Sequence, residues 1–126
     1  MVATAADTPR STSAGTSSDK VALYAGVGPE LTHYDVDVEG AALVRRGSVR
    51  LPANVHEAWQ HASKRFLYVV SSNRVLRGNR TLGDTHHLTA FRIEPATGAL
   101  QAHGAPIALR HRPIHMTTDI PSDYVL

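Results

Sequence analysis

Cysteine is absent from the 126-residue chain, which excludes disulfide staples, thiolate nucleophiles and cysteine-ligated metals and accords with a reducing compartment. Long apolar runs are missing too. None approaches the roughly 18 residues that a membrane-spanning helix needs, so no membrane partner is expected. Charge is sparse and balanced, with 13 Lys and Arg against 11 Asp and Glu for a formal net charge of +2. The basic residues form no run interleaved with aromatics, and nucleic acid is not expected as a partner. The first twenty residues, "MVATAADTPRSTSAGTSSDK", hold eight Ser or Thr, four Ala and no large aliphatic residue beyond Val2. With almost nothing to bury, residues 1–20 read as a disordered leader. They lack the basic start and continuous apolar stretch of a secretory signal, and two Asp against one Arg and one Lys argue against a transit peptide. A cytoplasmic location is therefore expected.

From Val21 onward the chain breaks into short apolar runs of alternating or β-branched character, each bounded by Gly, Pro, Asn, Asp or Ser. "KVALYAGVG", "ELTHYDVDVEG", "ALVRRGSVRLP", "VHEAWQHA", "RFLYVVSSN", "HLTAFRIEPATG", "ALQAHGAPIAL", "PIHMTTD" and "DYVL" all read as strands or strand ends. The best helical competitor is "ANVHEAWQHASKRF", in which Asn54 is a possible N-cap and Val55, Trp59 and Ala62 fall at helical spacing. The class is all-β.

Internal repetition decides against that helix. Laying "YDVDVEGAALVRRGSVRLP" over "FRIEPATGALQAHGAPIAL" pairs Tyr34 with Phe91, Val36 with Ile93, Ala42 with Ala99, Leu43 with Leu100 and Gly47 with Gly104, all 57 residues apart. After one inserted residue, "LPANVHEAWQHASKRFLYV" and "LRHRPIHMTTDIPSDYVL" pair Leu51 with Leu109, Phe66 with Tyr124 and Leu67 with Val125, 58 residues apart. "LYAG" and "LYVV" form a third copy at a spacing of 44, the difference lying in "SSNRVLRGNRTLGDTHH". A four-stranded antiparallel unit repeating every ~40 to 50 residues is the signature of a β-propeller blade. The spacing predicts strands at residues 54–62 and at 113–119 in equivalent places, and a loop outside the repeat at 72–86. The counterpart of residues 54–65 contains Pro113 and Pro121, which a helix would not tolerate.

"LPANVHEAWQHASKRFLYVVSS", "LTAFRIEPATGALQAHGAPIAL" and "RPIHMTTDIPSDYVL" resemble the blade repeat of the lactonase-type seven-bladed propellers. That family contains the propeller-type 6-phosphogluconolactonases and the carboxy-cis,cis-muconate lactonizing enzymes. The resemblance covers residues 21–126, and Ile93 to Leu100, "IEPATGAL", is its most specific part. Trp59 and His61 depart from the family's usual Ser-Pro turn. The resemblance implies about seven blades where this chain holds about two. The chain is thus expected to be an N-terminal portion that breaks off in the third blade, with the missing blades of the parent propeller as partners and no complete site of its own.

Candidate chemistry lies on inner strands and channel loops. His115, in "RPIHMTTD", matches the family's Pro-x-His strand start, and an imidazole there could transfer a proton during lactone opening or closing. Arg112, at the mouth of the same strand, could hold a carboxylate or phosphate. His56, with Glu57 beside it, occupies the equivalent place one blade earlier. Arg74, with Arg77 and Arg80 in the long loop, could attract an anionic ligand. The alternatives are a hydrogen-bonding channel histidine, solvated cations and a tolerant surface insertion. Eight histidines invite a metal reading, but Pro113 separates His111 from His115, and adjacent His86 and His87 would face opposite sides of a strand. No metal and no cofactor are expected.

Two function classes follow. One is an enzyme that hydrolyses a 6-phosphogluconolactone-like lactone or forms a lactone from a muconate, its partner a small lactone or anionic organic acid. The other is a non-catalytic propeller serving as a binding module. Fold alone does not separate them.

Overall fold

A computed structural model describes residues 21–126, which contain ten strands and no helix. The expected leader, residues 1–20, lies outside the described residues. No helix long and apolar enough to cross a membrane occurs among the described residues.

Three antiparallel strands make the first sheet in the order β1 (Val21–Val27), β2 (Glu30–Asp37), β3 (Ala42–Arg50). A second sheet begins with β4 (Asn54–Gln60) and β5 (Phe66–Ser72). After β5 the chain makes a separate small hairpin of β6 (Val75–Arg77) and β7 (Arg80–Leu82), then returns along β5 as β8 (His86–Ile93). The far side of β8 carries two short strands in line, β9 (Leu100–Ala102) and β10 (Ile107–Ala108).

The two sheets are one unit used twice, and the hydrogen-bond register proves it. Leu23 opposite Tyr34 in β1–β2 becomes Leu67 opposite Phe91 in β5–β8. Val36 opposite Leu43 becomes Ile93 opposite Leu100, and Leu31 opposite Val49 becomes Leu88 opposite Ile107. Loops repeat as well: Leu51 N donates to Pro29 O at 2.8 Å, and Leu109 N donates to His86 O at 2.8 Å. The turn after β2 carries Ala41 at φ 50°, and the turn after β8 carries Gly98 at φ 75°. In each pair the second member lies 57 or 58 residues on, or 44 for β1 against β5, as in the sequence alignment. The one inserted residue of that alignment falls where the outer strand of the second unit is interrupted, between β9 and β10.

A third unit begins the same way. His61 N donates to Phe66 O at 2.9 Å and Lys64 N to His61 O at 2.8 Å; Asp119 N donates to Tyr124 O at 3.2 Å and Ser122 N to Asp119 O at 2.9 Å. Lys64 and Ser122 even share a left-handed backbone, at φ 59° and 62°. The expected strand at 113–119 nevertheless does not form. Only Thr118 opposite Val125 makes a bridge. Pro113 has no amide hydrogen, the Met116 amide is given to the Glu57 carboxylate, and the opposing stretch pairs only across Tyr124–Leu126, so no ladder propagates. Strand β4 ends at Gln60 rather than at 62, and the segment 72–86 contains the β6–β7 hairpin rather than loop alone. Gly78, at φ 57°, permits that tight turn.

Alternation along the strands sends one face of each sheet toward the other. Tyr24, Leu31 and Leu51 from the first unit meet Ala58, Leu67, Val69, Phe91 and Ile93 from the second, all buried in one cluster. A fully buried Leu or Val of this kind contributes roughly 1.5–3 kcal/mol. Gly26 faces Val55 of the other sheet at close range: a Cβ on Gly26 would lie 2.8 Å from Val55 Cγ1. The outer strands are half-exposed or exposed, leaving Leu43, Val44 and Ile107 open.

Candidate functional site

The four candidate side chains predicted from sequence, on His56, Arg74, Arg112 and His115, fall at or near one end of β4 and β5. There β4 departs from regular pairing. Val55 opposes Ser71 and Glu57 opposes Val70, so His56 is the extra residue of a β-bulge. Bulges re-aim a side chain and interrupt the ladder, a device common beside functional sites.

His56 is part-buried, and its pKa is lowered, first by burial and then by the positive charge of Arg112. A hydrogen bond with the Ser72 backbone acts in the opposite sense, and His86 lowers it further. His56 and Arg112 are thus electrostatic neighbours, although 56 residues of chain separate them. Below them, Ser72 Oγ and His86 Nδ1 are 2.9 Å apart in a buried contact, and Ser72 Oγ also accepts the Arg74 amide at 3.0 Å. That contact joins adjacent strands, since Ser72 lies directly opposite His86. Arg74 itself carries an exposed side chain. Only its backbone is held at the cluster.

Glu57 ties the second unit to the third. Its Oε2 accepts the Met116 amide at 2.6 Å and lies 3.8 Å from His115 Nδ1. That second distance is an ion-pair separation, too long for a hydrogen bond. The His115 side chain is 87% exposed, against 26% for Glu57. Glu57 and His115 also occupy equivalent places in successive units, so one carboxylate and one imidazole meet at the seam between them.

The resulting surface offers an accessible imidazole at His115, a carboxylate at Glu57, a neutral-leaning imidazole at His56 and a guanidinium at Arg112. Such a set can bind an anion and exchange a proton with it. Ser72 and His86 resemble a nucleophile and its base, but Ser72 is 1% exposed and His86 5%, so no substrate reaches the hydroxyl, which holds the Arg74 backbone. Among the described residues no three His, Asp or Glu side chains gather as a metal site requires. Sequence reasoning weighed His86 only as a metal ligand and missed its contact with Ser72, for which the only signal was that "SS" closes one strand and "HH" opens its neighbour. Comparison with family models and with curated proteins returns no match, and the roles of these residues therefore rest on geometry.

Proposed function

We propose that residues 21–126 form blades of a lactonase-type β-propeller in the cytoplasm, acting on a lactone or a related anionic organic acid. Support comes from the antiparallel unit that recurs at fixed offsets, and from the meeting of Glu57 with His115 at the start of successive units. That meeting, at 3.8 Å, is the observation that carries the activity. In this reading Arg112 holds the substrate's carboxylate or phosphate. His115 accepts a proton from the attacking water as the carbonyl carbon is opened, then returns it to the departing ring oxygen. For lactone formation from a muconate, the same imidazole delivers the proton to the alkene carbon while the substrate carboxylate closes the ring. Glu57 fixes the peptide that bears His115.

Each blade lends a channel one or two side chains, and a closed ring of this kind has about seven blades. The assay therefore belongs to the closed ring, whether further sequence or further copies complete it. On δ-lactones of sugar acids and on carboxy-muconate at neutral pH, His115→Ala is expected to lower kcat at least about tenfold. An undiminished rate would return His115 to a structural role. A binding platform without catalysis is the second reading, and it is favoured by one feature: among the described residues no hydrogen bond pins the His115 ring, whereas proton transfer profits from a held base. Saturable binding without turnover would decide for it.

A further inference from the structure

Away from that cluster, a cleft of about 380 Å³ opens between the outer half of the first sheet and the turn that follows β8. Its size lies within the range of small-molecule sites. Leu31, Val49 and Leu100 form apolar walls; His33, Asp35 and Arg46 supply the polar groups. We infer that this cleft binds a small aliphatic monocarboxylate, with the carboxylate on Arg46 and the tail against Leu31, Val49 and Leu100.

Three observations carry the assignment, and none depends on the propeller reading. Arg46 donates from Nε to Asp35 Oδ2 at 2.7 Å, which fixes the plane of the guanidinium while its two amino groups have no partner among the described residues. A guanidinium oriented in this way presents the paired donors that a carboxylate accepts. His33 is 5% exposed, and its Nε2 has no hydrogen-bond partner; the nearest carboxylate oxygen, on Asp35, is 3.6 Å away. A buried nitrogen left unpaired is a standing cost that an incoming acceptor removes. The ring lies between Tyr24, at 5.4 Å between centroids, and Gly98.

The walls choose among ligands. They are aliphatic, with no aromatic platform on which a sugar ring could stack. Gly47 leaves the mouth unobstructed, since a Cβ there would meet nothing within 4 Å. The site is also peculiar to the first unit: the residues equivalent to His33, Asp35 and Arg46 are Ala90, Arg92 and His103, so it is not a by-product of the repeat.

The test is a titration of the full chain with 4-methylpentanoate, followed by the 15N shifts of the histidine rings and by backbone amide shifts, with 4-methylpentanamide as the uncharged control. Saturable binding is expected, with shifts at His33 and at residues 46–49 and 97–100. Arg46→Gln should weaken it at least about tenfold, as should the amide ligand, because a charged pair is lost in either case. Gly47→Trp, placed opposite His33 where an added Cβ meets nothing within 4 Å, fills the mouth and should abolish it. Absence of saturation, equal affinity for the amide, or undiminished binding by Arg46→Gln would each overturn the assignment.

Discussion

Replacing Gly98 with Ala tests the packing of the two units against each other. Gly98 sits at φ 75°, and a Cβ would fall 2.9 Å from His33 Nε2 and 3.0 Å from Ala22 Cβ, both in the neighbouring sheet. Its carbonyl accepts the Tyr24 hydroxyl at 2.6 Å, so the turn has little freedom to retreat. The left-handed backbone costs an L-residue about 1–2 kcal/mol, partly offset by about 0.5–1 kcal/mol from the smaller entropy of the unfolded chain. Overpacking against the buried His33 ring and Ala22 adds about 1–3 kcal/mol. The net expectation is a loss of about 1–4.5 kcal/mol, read as a lower urea midpoint at unchanged slope. Ala41 provides the internal control, because it occupies the same turn position in the first unit at φ 50°. Ala41→Gly should be neutral or stabilising by up to about 1 kcal/mol. A Gly98→Ala midpoint within about 0.5 kcal/mol of the parent, or the same response at both turns, would refute the packing described here.

Leu67→Ala, at a wholly buried position, should cost about 2–5 kcal/mol by urea denaturation; a loss below 1 kcal/mol would mean that the sheets do not share a core. Acidification should weaken the fold. His33 has its pKa lowered from 6.5, by burial first, with Asp35 opposing and Arg46 reinforcing; the stability of its neutral form is complete above pH 6.5 and is lost as pH falls through the lower folded value. Melting temperature should therefore drop below pH 6.5, less steeply in His33→Gln, and equal slopes would contradict the assignment. At the alkaline end, Tyr24 is pushed up from 10.0 to about 12 by burial, so stability should decline between pH 10 and 12, and Tyr24→Phe should remove part of that decline.

Much of the architecture was legible because repetition is a strong constraint. Matching Tyr34 to Phe91 and Leu67 to Val125 identified which stretches are equivalent from one unit to the next. It excluded the helix at 54–65, which local spacing alone left open. What differs between units could not be read in that way. The interruption between β9 and β10 arises from one extra residue, and the alignment recorded the insertion without revealing that the strand would break there. At 113–119 the pattern of a strand is present, but the Met116 amide is spent on Glu57, a contact between units that no local pattern encodes. The same limit governs the sites. His56, Arg112 and His115 were visible by analogy with an equivalent position, whereas His33, Asp35 and Arg46 have no counterparts in the second unit and meet only through cross-strand register.

The two outer strands also bear on how this chain avoids sticking to itself. A long strand with free amides on one side is a template for another chain. Strand β3 spans Ala42–Arg50 with no neighbour beyond it among the described residues, and it exposes Leu43 and Val44. It carries Arg45, Arg46 and Arg50, whose like charges would be brought together by any second β3 that tried to pair. The second unit uses geometry instead: Gly104, at φ 79°, and Pro106 split its edge into pieces of three and two residues, too short to template a sheet. The first edge therefore depends on charge and loses its protection in high salt or when arginines are replaced, while the second is indifferent to both. Fibrils growing from this protein should begin at β3.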